Sequence, residues 1–441
     1  MSKVLETVLN RQITFYMETN RLYSESQHAY RRARSTQSAL LDMDTFINEA
    51  RNRNRMVAVV CTDMSAAFNI IKKEVLDIKL EAYGFDEASR ALVDNYLTDR
   101  KTVCQVKDKR SGVVTLESGV GEGSVMGPNV YGLGTCDADE VPVMTIEICV
   151  EEERDVEGKT IMFADDVNGL LSATNIDDLQ AAINIMMRLY EQYFSCNGLC
   201  LNRDKCQLLV LRWQPTPDTR FTLAGAEEVL KVKFLGLIIE TDYKFNGHVN
   251  SVISRVSYKL AKLRRIMEHM PQDLLRETVE ALVLSVMKYG LFIYGRRREI
   301  QVKLQKLVNA AARLVLQPPP RSRTSIESML TTLSWLNAPN MVRQEQCLVM
   351  ERLLRTRSSP ISFRLMLYHE QVPQHDHGLR NVGLRPPWQI RNRFGDWAYL
   401  IQAVRLYNEL RLSSKFHRNL DDFKHSLKSG IIQKYFNKNF P

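Results

Sequence analysis

The chain of 441 residues contains no apolar run that reaches the ~18 uninterrupted residues of a membrane-spanning helix. Its first residues, broken by Glu6 and Arg11, lack the apolar core of a secretory signal. These two absences point to an intracellular protein with no membrane partner, in the nucleus or the cytoplasm. Paired cysteine spacing is missing as well. The 8 cysteines are spread through apolar stretches, Cys196, Cys200 and Cys206 do not have zinc-site spacing, and His375 and His377 have no cysteine nearby. Reduced thiols are therefore expected, with no zinc knuckle. Internal repeats are also absent, and so is an acidic excess. The formal charge of +9 points to a polyanionic partner, although many soluble proteins are equally basic without one. An apolar content of 44% over this length is ordinary for a globular protein of two or three domains.

What is present is concentrated around carboxylates. Ile161-Met162-Phe163-Ala164-Asp165-Asp166-Val167 brackets two adjacent acids with short apolar runs that read as the arms of a β-hairpin. Adjacent carboxylates at such a tip repel, and a bound divalent cation relieves that repulsion. By itself an Asp pair is more often a plain turn. Upstream, Met56-Val57-Ala58-Val59-Val60-Cys61-Thr62-Asp63 is a Val-rich run of strand length that ends on a third acid. The small residues that follow, through Ala66 and Ala67, let a ligand approach the backbone, and Phe68 sets a ring against it. This is the layout of a nucleotide polymerase palm. There, Asp63 and Asp165 would hold two Mg²⁺ (or Mn²⁺) ions about 3.5–4 Å apart, for in-line attack of a primer 3′-hydroxyl on a triphosphate.

A collinear series of motifs resembles the reverse transcriptases of non-long-terminal-repeat (LINE-like) retrotransposons. Lys3 to Glu6, and Gln27 to Arg31 through Arg34-Ser35-Thr36, look like opening finger segments. Asp63 to Phe68 looks like the first palm motif, and Tyr96 to Lys101 resembles "YL-x-x-R". Gly119-Val120-Gly121-Glu122-Gly123-Ser124-Val125-Met126-Gly127-Pro128 is similar to the "GVPQGSVLGP" loop. Gly198 to Asn202 with Lys205 is similar to "N-x-x-K", and Lys233-Phe234-Leu235-Gly236 to "FLG". The resemblance implies an α+β right-hand polymerase, with fingers, an antiparallel palm sheet and a helical thumb, followed by a mostly helical C-terminal region. It also implies an RNA template, a DNA primer and deoxynucleoside triphosphates as partners, and a nuclear location. In it Asp63, Asp165 and Asp166 organise metal, Phe68 acts as a steric gate against a 2′-hydroxyl, and Ala67, Glu122, Gly123 and Arg34 meet the nucleotide. Lys205 meets pyrophosphate, where a cation or proton donor stabilises developing charge, and Gly236 lies at the nucleic-acid interface.

Three departures stand out. Gly121 and Glu122 replace the family's Pro and Gln, so a hydrogen-bond donor becomes an acceptor-only carboxylate facing an incoming triphosphate. Asn69 replaces Asp after the gate aromatic, and the "YINDL" run after Pro128 is missing. A nucleic-acid-binding remnant without turnover is therefore the alternative to an active polymerase. The chain starts with Met1 almost at "K-x-x-E", which leads to the expectation of a truncated polymerase without the preceding endonuclease.

The expected organisation is fingers and palm over 1–245, thumb over 246–317, and a helical region over 318–441 after the Pro318-Pro319-Pro320 linker. Leu179-Ile183-Met186-Tyr190-Phe194 predicts a helix ending near Asn197-Gly198. From Val249, the stripe Ile253, Val256, Leu260, Leu263 and Met267 predicts an amphipathic helix. Arg255, Lys259 and Lys262 run beside that stripe, either as solvated surface or as a grip on duplex phosphates. A loop is expected over Gln371 to Pro387, and Leu406 to Leu410 with Phe423-Lys424 resembles the tail after the polymerase.

Overall fold

The Val-rich run forms a strand because nearly every residue in it finds an apolar environment. The computed structural model describes residues 2–64, 71–116, 119–121, 123–213, 220–223, 226–319, 324–359, 399–409 and 423. These form two compact units, Met1–Ala39 with Asn54–Val232, and Leu40–Arg53 with Lys233–Pro441. This division cuts the chain differently from the three consecutive segments expected from the sequence.

In chain order the first unit contains α1 (Ser2–Thr19), the start of α2 (Thr36–Asn52), β1 (Met56–Thr62), α3 (Lys73–Ala82) and α4 (Glu87–Leu97). An exposed double hairpin follows, built of β2 (Arg100–Thr102), β3 (Gln105–Val106), β4 (Lys109–Arg110) and β5 (Val114–Leu116). Next come α5 (Gly127–Thr135), α6 (Glu140–Glu151), β6 (Val156–Phe163), β7 (Asp166–Ala173), α7 (Ile176–Cys196) and β8 (Gln207–Leu211), with the short pair β9 (Thr222–Leu223) and β10 (Ala226–Glu227).

The main sheet has the order β6-β7-β1-β8, and every pairing in it is antiparallel. Ala58, Val60, Met162 and Leu171 join the α6 and α7 side chains in one core. Val57, Val59, Leu170 and Leu209 are also fully buried. Burial of both alternating sets explains why β1 reads as a continuous apolar run rather than as every second residue. The predicted helix is α7, and Leu179, Ile183, Met186, Tyr190 and Phe194 are all fully buried. Asn175 caps its start by accepting from Asp178 N at 2.7 Å, and Gly198 follows its C-cap, Asn197, at φ +71°. A second core, including Ile13, Met17, Leu76, Val93, Val120, Met126 and Leu133, joins α1, α3, α4 and α5 around the glycine-rich loop.

The second unit takes in most of α2. It continues from β11 (Lys231–Phe234) and β12 (Leu237–Glu240) into α8 (Asn246–Ile266), α9 (Gln272–Val279) and a π-helical turn, Glu280–Leu284. Beyond these lie α10 (Ser285–Lys288), α11 (Leu291–Tyr294), α12 (Arg298–Leu316), α13 (Ile326–Leu333), α14 (Ala338–Thr356) and α15 (Tyr399–Glu409). The seam of α8 is Val249, Val252, Val256, Leu260 and Leu263, joined by His248. Ile253 and Met267, expected in that stripe, are half-buried, because Val252 supplies the inward position between Val249 and Val256.

A buried polar knot ties α2 into this unit. Arg296 donates to both oxygens of Asp44 at 2.9 and 2.8 Å, and Tyr243 Oη donates to Oδ1 at 2.9 Å. The expected loop over Gln371 to Pro387 lies outside the described residues, as do Pro320 and Lys424. Leu406 lies within α15 and Phe423 is buried.

Candidate active site

The strand register brings the three acids to one end of the sheet. Thr62 pairs with Val167, so Asp63, one residue past β1, comes level with Asp166 at the start of β7. Phe163 pairs with Asp166, which leaves Ala164 and Asp165 as a two-residue turn. Ala164 sits at φ +57°, a left-handed conformation that is uncommon for a residue with a Cβ. Thr62 Oγ1 donates to Val167 O at 2.5 Å and locks the strands just before the acids. Asp165 and Asp166 are both exposed. The Asp166 carboxyl is pushed above its ordinary range, first by desolvation and then by the neighbouring charges of Asp165 and Asp63. Asp166 therefore feels both of the other acids.

Lys205 reaches this cluster although it is distant in sequence. Asn202 N donates to Asp63 O at 2.9 Å, and Met64 and Leu201 form a bridge. The short turn Arg203–Lys205 then holds the ammonium 3.3 Å from Asp63 Oδ2. That oxygen is shielded from solvent and accepts no hydrogen bond. Among the described residues, no three His, Cys, Asp or Glu side chains converge into a ready-made cation site.

Gln27 and two tyrosines were not singled out by sequence reasoning as site residues. Gln27 is buried, and its side-chain oxygen accepts from Ala29 N at 2.9 Å and from the turn's own Ala164 N at 3.3 Å. Ser26 O and His28 N bond the two sides of the Met162 peptide, laying this segment along the edge of β6. Tyr30 and Tyr131 both hold their protons more tightly than usual. Burial is the main cause for each, followed by the Asp165 charge, and for Tyr131 the Asp166 charge as well. The only sequence trace of this packing is the position of Gln27 and Tyr30 within the Gln27 to Arg31 motif.

The glycine-rich loop is held from three sides. Glu6 Oε2 accepts from Val125 N at 2.8 Å, near the start of α5. Tyr96 Oη donates to Ser124 Oγ at 2.8 Å, and Ser124 Oγ accepts from Gly127 N at 3.0 Å. Arg100 lies over the Tyr96 ring and donates to Gly119 O at 3.3 Å, and a Cβ on Gly121 would collide with its guanidinium. The space opened by Gly, where the resembling loop has Pro, is filled by Arg100. Gly123 has φ +75° with open space around it. Glu122, Ala67 and Phe68 lie outside the described residues. Arg34 donates to Glu25 O.

In the second unit Gly236 has a local reason to be glycine. It completes the β11–β12 turn at φ +86°, with Tyr289 Cε1 3.2 Å from where its Cβ would stand. Arg255 and Lys262 are exposed on α8, and Lys262 lies 4.5 Å from the centre of the exposed Tyr258 ring. Lys259 is half-buried, and its Nζ donates to Leu282 O of the π turn at 2.9 Å.

Residues 1–239 match the reverse transcriptase (RNA-dependent DNA polymerase) family. With more than half of its length in that match, the chain belongs to the reverse transcriptase family. It is similar to the RNA-directed DNA polymerase from mobile element jockey of Drosophila funebris, 21% identical over 70% of this chain and 35% of the relative. It is also similar to the probable RNA-directed DNA polymerases of Drosophila melanogaster from transposon BS, 22% identical over 72% of this chain and 35% of the relative, and from transposon X-element, 22% over 71% and 34%. The chain thus spans about a third of the length of these relatives. A solved telomerase from Candida tropicalis, in complex with a TWJ fragment of telomeric RNA, aligns over 83% of this chain and 57% of its own at 11% identity and a TM-score of 0.38, short of a shared-fold likeness. The mobile-element resemblance drawn from the motifs is borne out. No described helix is long and apolar enough to cross a membrane.

Proposed function

We propose that the chain is the polymerase portion of an RNA-directed DNA polymerase, extending a DNA primer on an RNA template with deoxynucleoside triphosphates. The observation that carries this reading is the Thr62–Val167 register, which sets Asp63 beside the Asp165-Asp166 pair, where desolvation and then the Asp165 and Asp63 charges raise the Asp166 carboxyl. In this reading the β6-β7-β1-β8 sheet is the palm, and 1–245 holds fingers and palm. The thumb is 246–317, and 318–441 is a helical C-terminal region.

The donor set fits a hard divalent cation. All three side chains are carboxylates, and one Asp63 oxygen is shielded, accepts no hydrogen bond and has only the Lys205 ammonium beside it. Asp63, Asp165 and Asp166 would hold Mg²⁺ or Mn²⁺, which when bound supplies Lewis-acid activation of the primer 3′-hydroxyl and neutralises phosphate charge. The protein's own part is positional. Gln27 fixes the turn that carries Asp165, and Thr62 fixes the strand ends. Lys205, beside Asp63, would meet the charge developing on the leaving pyrophosphate and donate a proton there. Gly123 and its loop seat the nucleotide, with Ala67, Arg34 and Glu122 around it and Phe68 as the gate. Arg255, Lys259 and Lys262, with Gly236, serve the nucleic-acid backbone.

A second reading, duplex binding without turnover, rests on Glu122, whose carboxylate repels a triphosphate where an amide would donate. Primer extension on an RNA template with Mg²⁺ or Mn²⁺ separates the two. The proposed function predicts extended products from the wild-type chain, whereas duplex binding with no extension under either metal establishes the second reading.

A further inference from the structure

The second unit contains a cavity of about 240 Å³ that no step of the polymerase reading uses. Its walls include Arg276 of α9, Glu280 and Leu284 of the π turn, Lys288 of α10, and Trp335 and Leu336 just beyond α13. Three features set it apart from an ordinary surface cleft.

First, its cations are uncommitted. No described hydrogen bond or ion pair engages the side chain of Arg276 or Lys288, and Arg276 Nε is shielded from solvent with no partner. A guanidinium nitrogen withdrawn from water carries a desolvation penalty that an anionic ligand would offset. Second, the aromatic ring is held in place. Trp335 Nε1 donates to Glu280 Oε1 at 2.8 Å, which fixes one edge of the indole and occupies the cavity's one acid. Third, one wall is a π-helical turn, a form that is rare in helices and concentrated at functional sites. Lys259 supports that turn from α8 through the Leu282 carbonyl.

We propose that this cavity is a binding site for one nucleotide of a single strand. The base lies on Trp335 with Leu284 and Leu336 beside it, and the backbone phosphate lies between Arg276 and Lys288. A fixed ring with cations beside it is the combination by which proteins hold single strands without reading their sequence. A free inorganic phosphate would use the cations and leave the ring idle. The inference rests on the reading that this chain handles an RNA template, since that supplies a single strand next to a duplex.

The test compares two ligands of the full chain by fluorescence anisotropy, a blunt RNA/DNA duplex and the same duplex with an RNA overhang. Stacking of one base on an aromatic ring corresponds to roughly a 5- to 150-fold gain in affinity. Trp335→Ala should therefore remove most of the gain the overhang brings while leaving blunt-duplex binding unchanged, and Trp335→Phe should retain most of it. The pair Arg276→Gln with Lys288→Gln should lower the salt slope of overhang binding by about 0.7, the share of one phosphate contact on a single strand. This pair carries the test even if Trp335→Ala does not fold. Overhang binding with wild-type affinity and slope in the Gln pair overturns the proposal, as does equal loss on the blunt duplex. If those variants bind the overhang normally while the wild-type chain extends primers, this site falls and the polymerase reading stands. If the overhang effects hold but no primer is extended, the reverse follows.

Discussion

The acids of the two units have opposite surroundings. In the second unit Asp44 is buried, yet both its oxygens are bonded by Arg296 and one of them also by Tyr243. In the first unit Asp165, on a turn with Ala164 at φ +57°, and Asp166, at the start of β7, are exposed beside Asp63, with Lys205 as the only described cation paired to the cluster. A structural acid is given partners, because an unpaired charge out of water is costly. A functional acid is left facing like charge, which stores electrostatic tension that a cationic ligand can release. The contrast gives a physical reason to assign chemistry to one cluster and architecture to the other.

The largest effect should come from breaking the functional cluster. Asp165→Asn is expected to bring primer extension to background while leaving folding intact, as judged by a melting temperature at or above that of the wild type. The second outcome matters, because removing one of three mutually repelling charges should not destabilise the fold. A variant that lost extension only by melting would erase the distinction between the clusters.

Next in size is the structural knot. Arg296→Met leaves Asp44 buried without its main partner and should cost about 3–5 kcal/mol of stability, measured by denaturant titration of the full chain. Pairing it with Asp44→Leu should recover much of that loss, since an apolar pair can replace a buried ion pair of similar volume. A loss below about 1 kcal/mol would mean the knot behaves like a surface ion pair.

A smaller change is expected at Glu122. Restoring the amide with Glu122→Gln returns a donor and removes a negative charge, for a gain of roughly tenfold in extension if one charge-assisted hydrogen bond is recovered. No gain would show that the loop's departure is not what limits the site.

A pH signature should also differ between the units. Burial and the nearby Arg255 hold His248 down at about 4, against an ordinary 6.5, and its Nδ1 accepts from Ile238 N at 3.3 Å. A depressed folded-state pKa contributes stability that is present above 6.5 and lost as pH falls towards 4. The raised Asp166 carboxyl has the opposite sign, favouring the fold below the ordinary 3.8 and losing that contribution as pH rises through its folded value. His248→Asn should flatten the acid-side loss in unfolding titrations between pH 6.5 and 4, while Asp166→Asn should leave it in place.

Much of this was legible in the sequence, for physical reasons specific to each element. The Val-rich run ending at Asp63, the hairpin around Asp165, and the Leu179 to Phe194 stripe with its Asn197-Gly198 ending are local signals, set by side-chain period and turn chemistry. Lys205 entered through the order of the motifs, and the structure gives its reason in the Asn202–Asp63 backbone bond. Other features were not legible, because they join residues far apart with no periodic pattern. Gln27 braces Ala164 across 137 positions, and Arg296 meets Asp44 across 252. The transfer of most of α2 to the second unit is likewise a long-range outcome. Lys259 has a long-range partner of the same kind. Its helical spacing with Arg255 and Lys262 gives no sign of the bond its Nζ donates to Leu282 O of the π turn.

We propose that Asp63, Asp165 and Asp166 together make this sheet end a divalent-cation site. The most direct measurement is the melting temperature of the wild-type chain and of Asp165→Asn across a Mn²⁺ titration. Binding to the folded state alone stabilises it by RT ln(1 + [L]/Kd), so the wild-type curve should rise with added metal. Asp165→Asn should start no lower and rise far less. Parallel curves for the two proteins would contradict the account, because the cation would then be bound somewhere other than the carboxylate cluster.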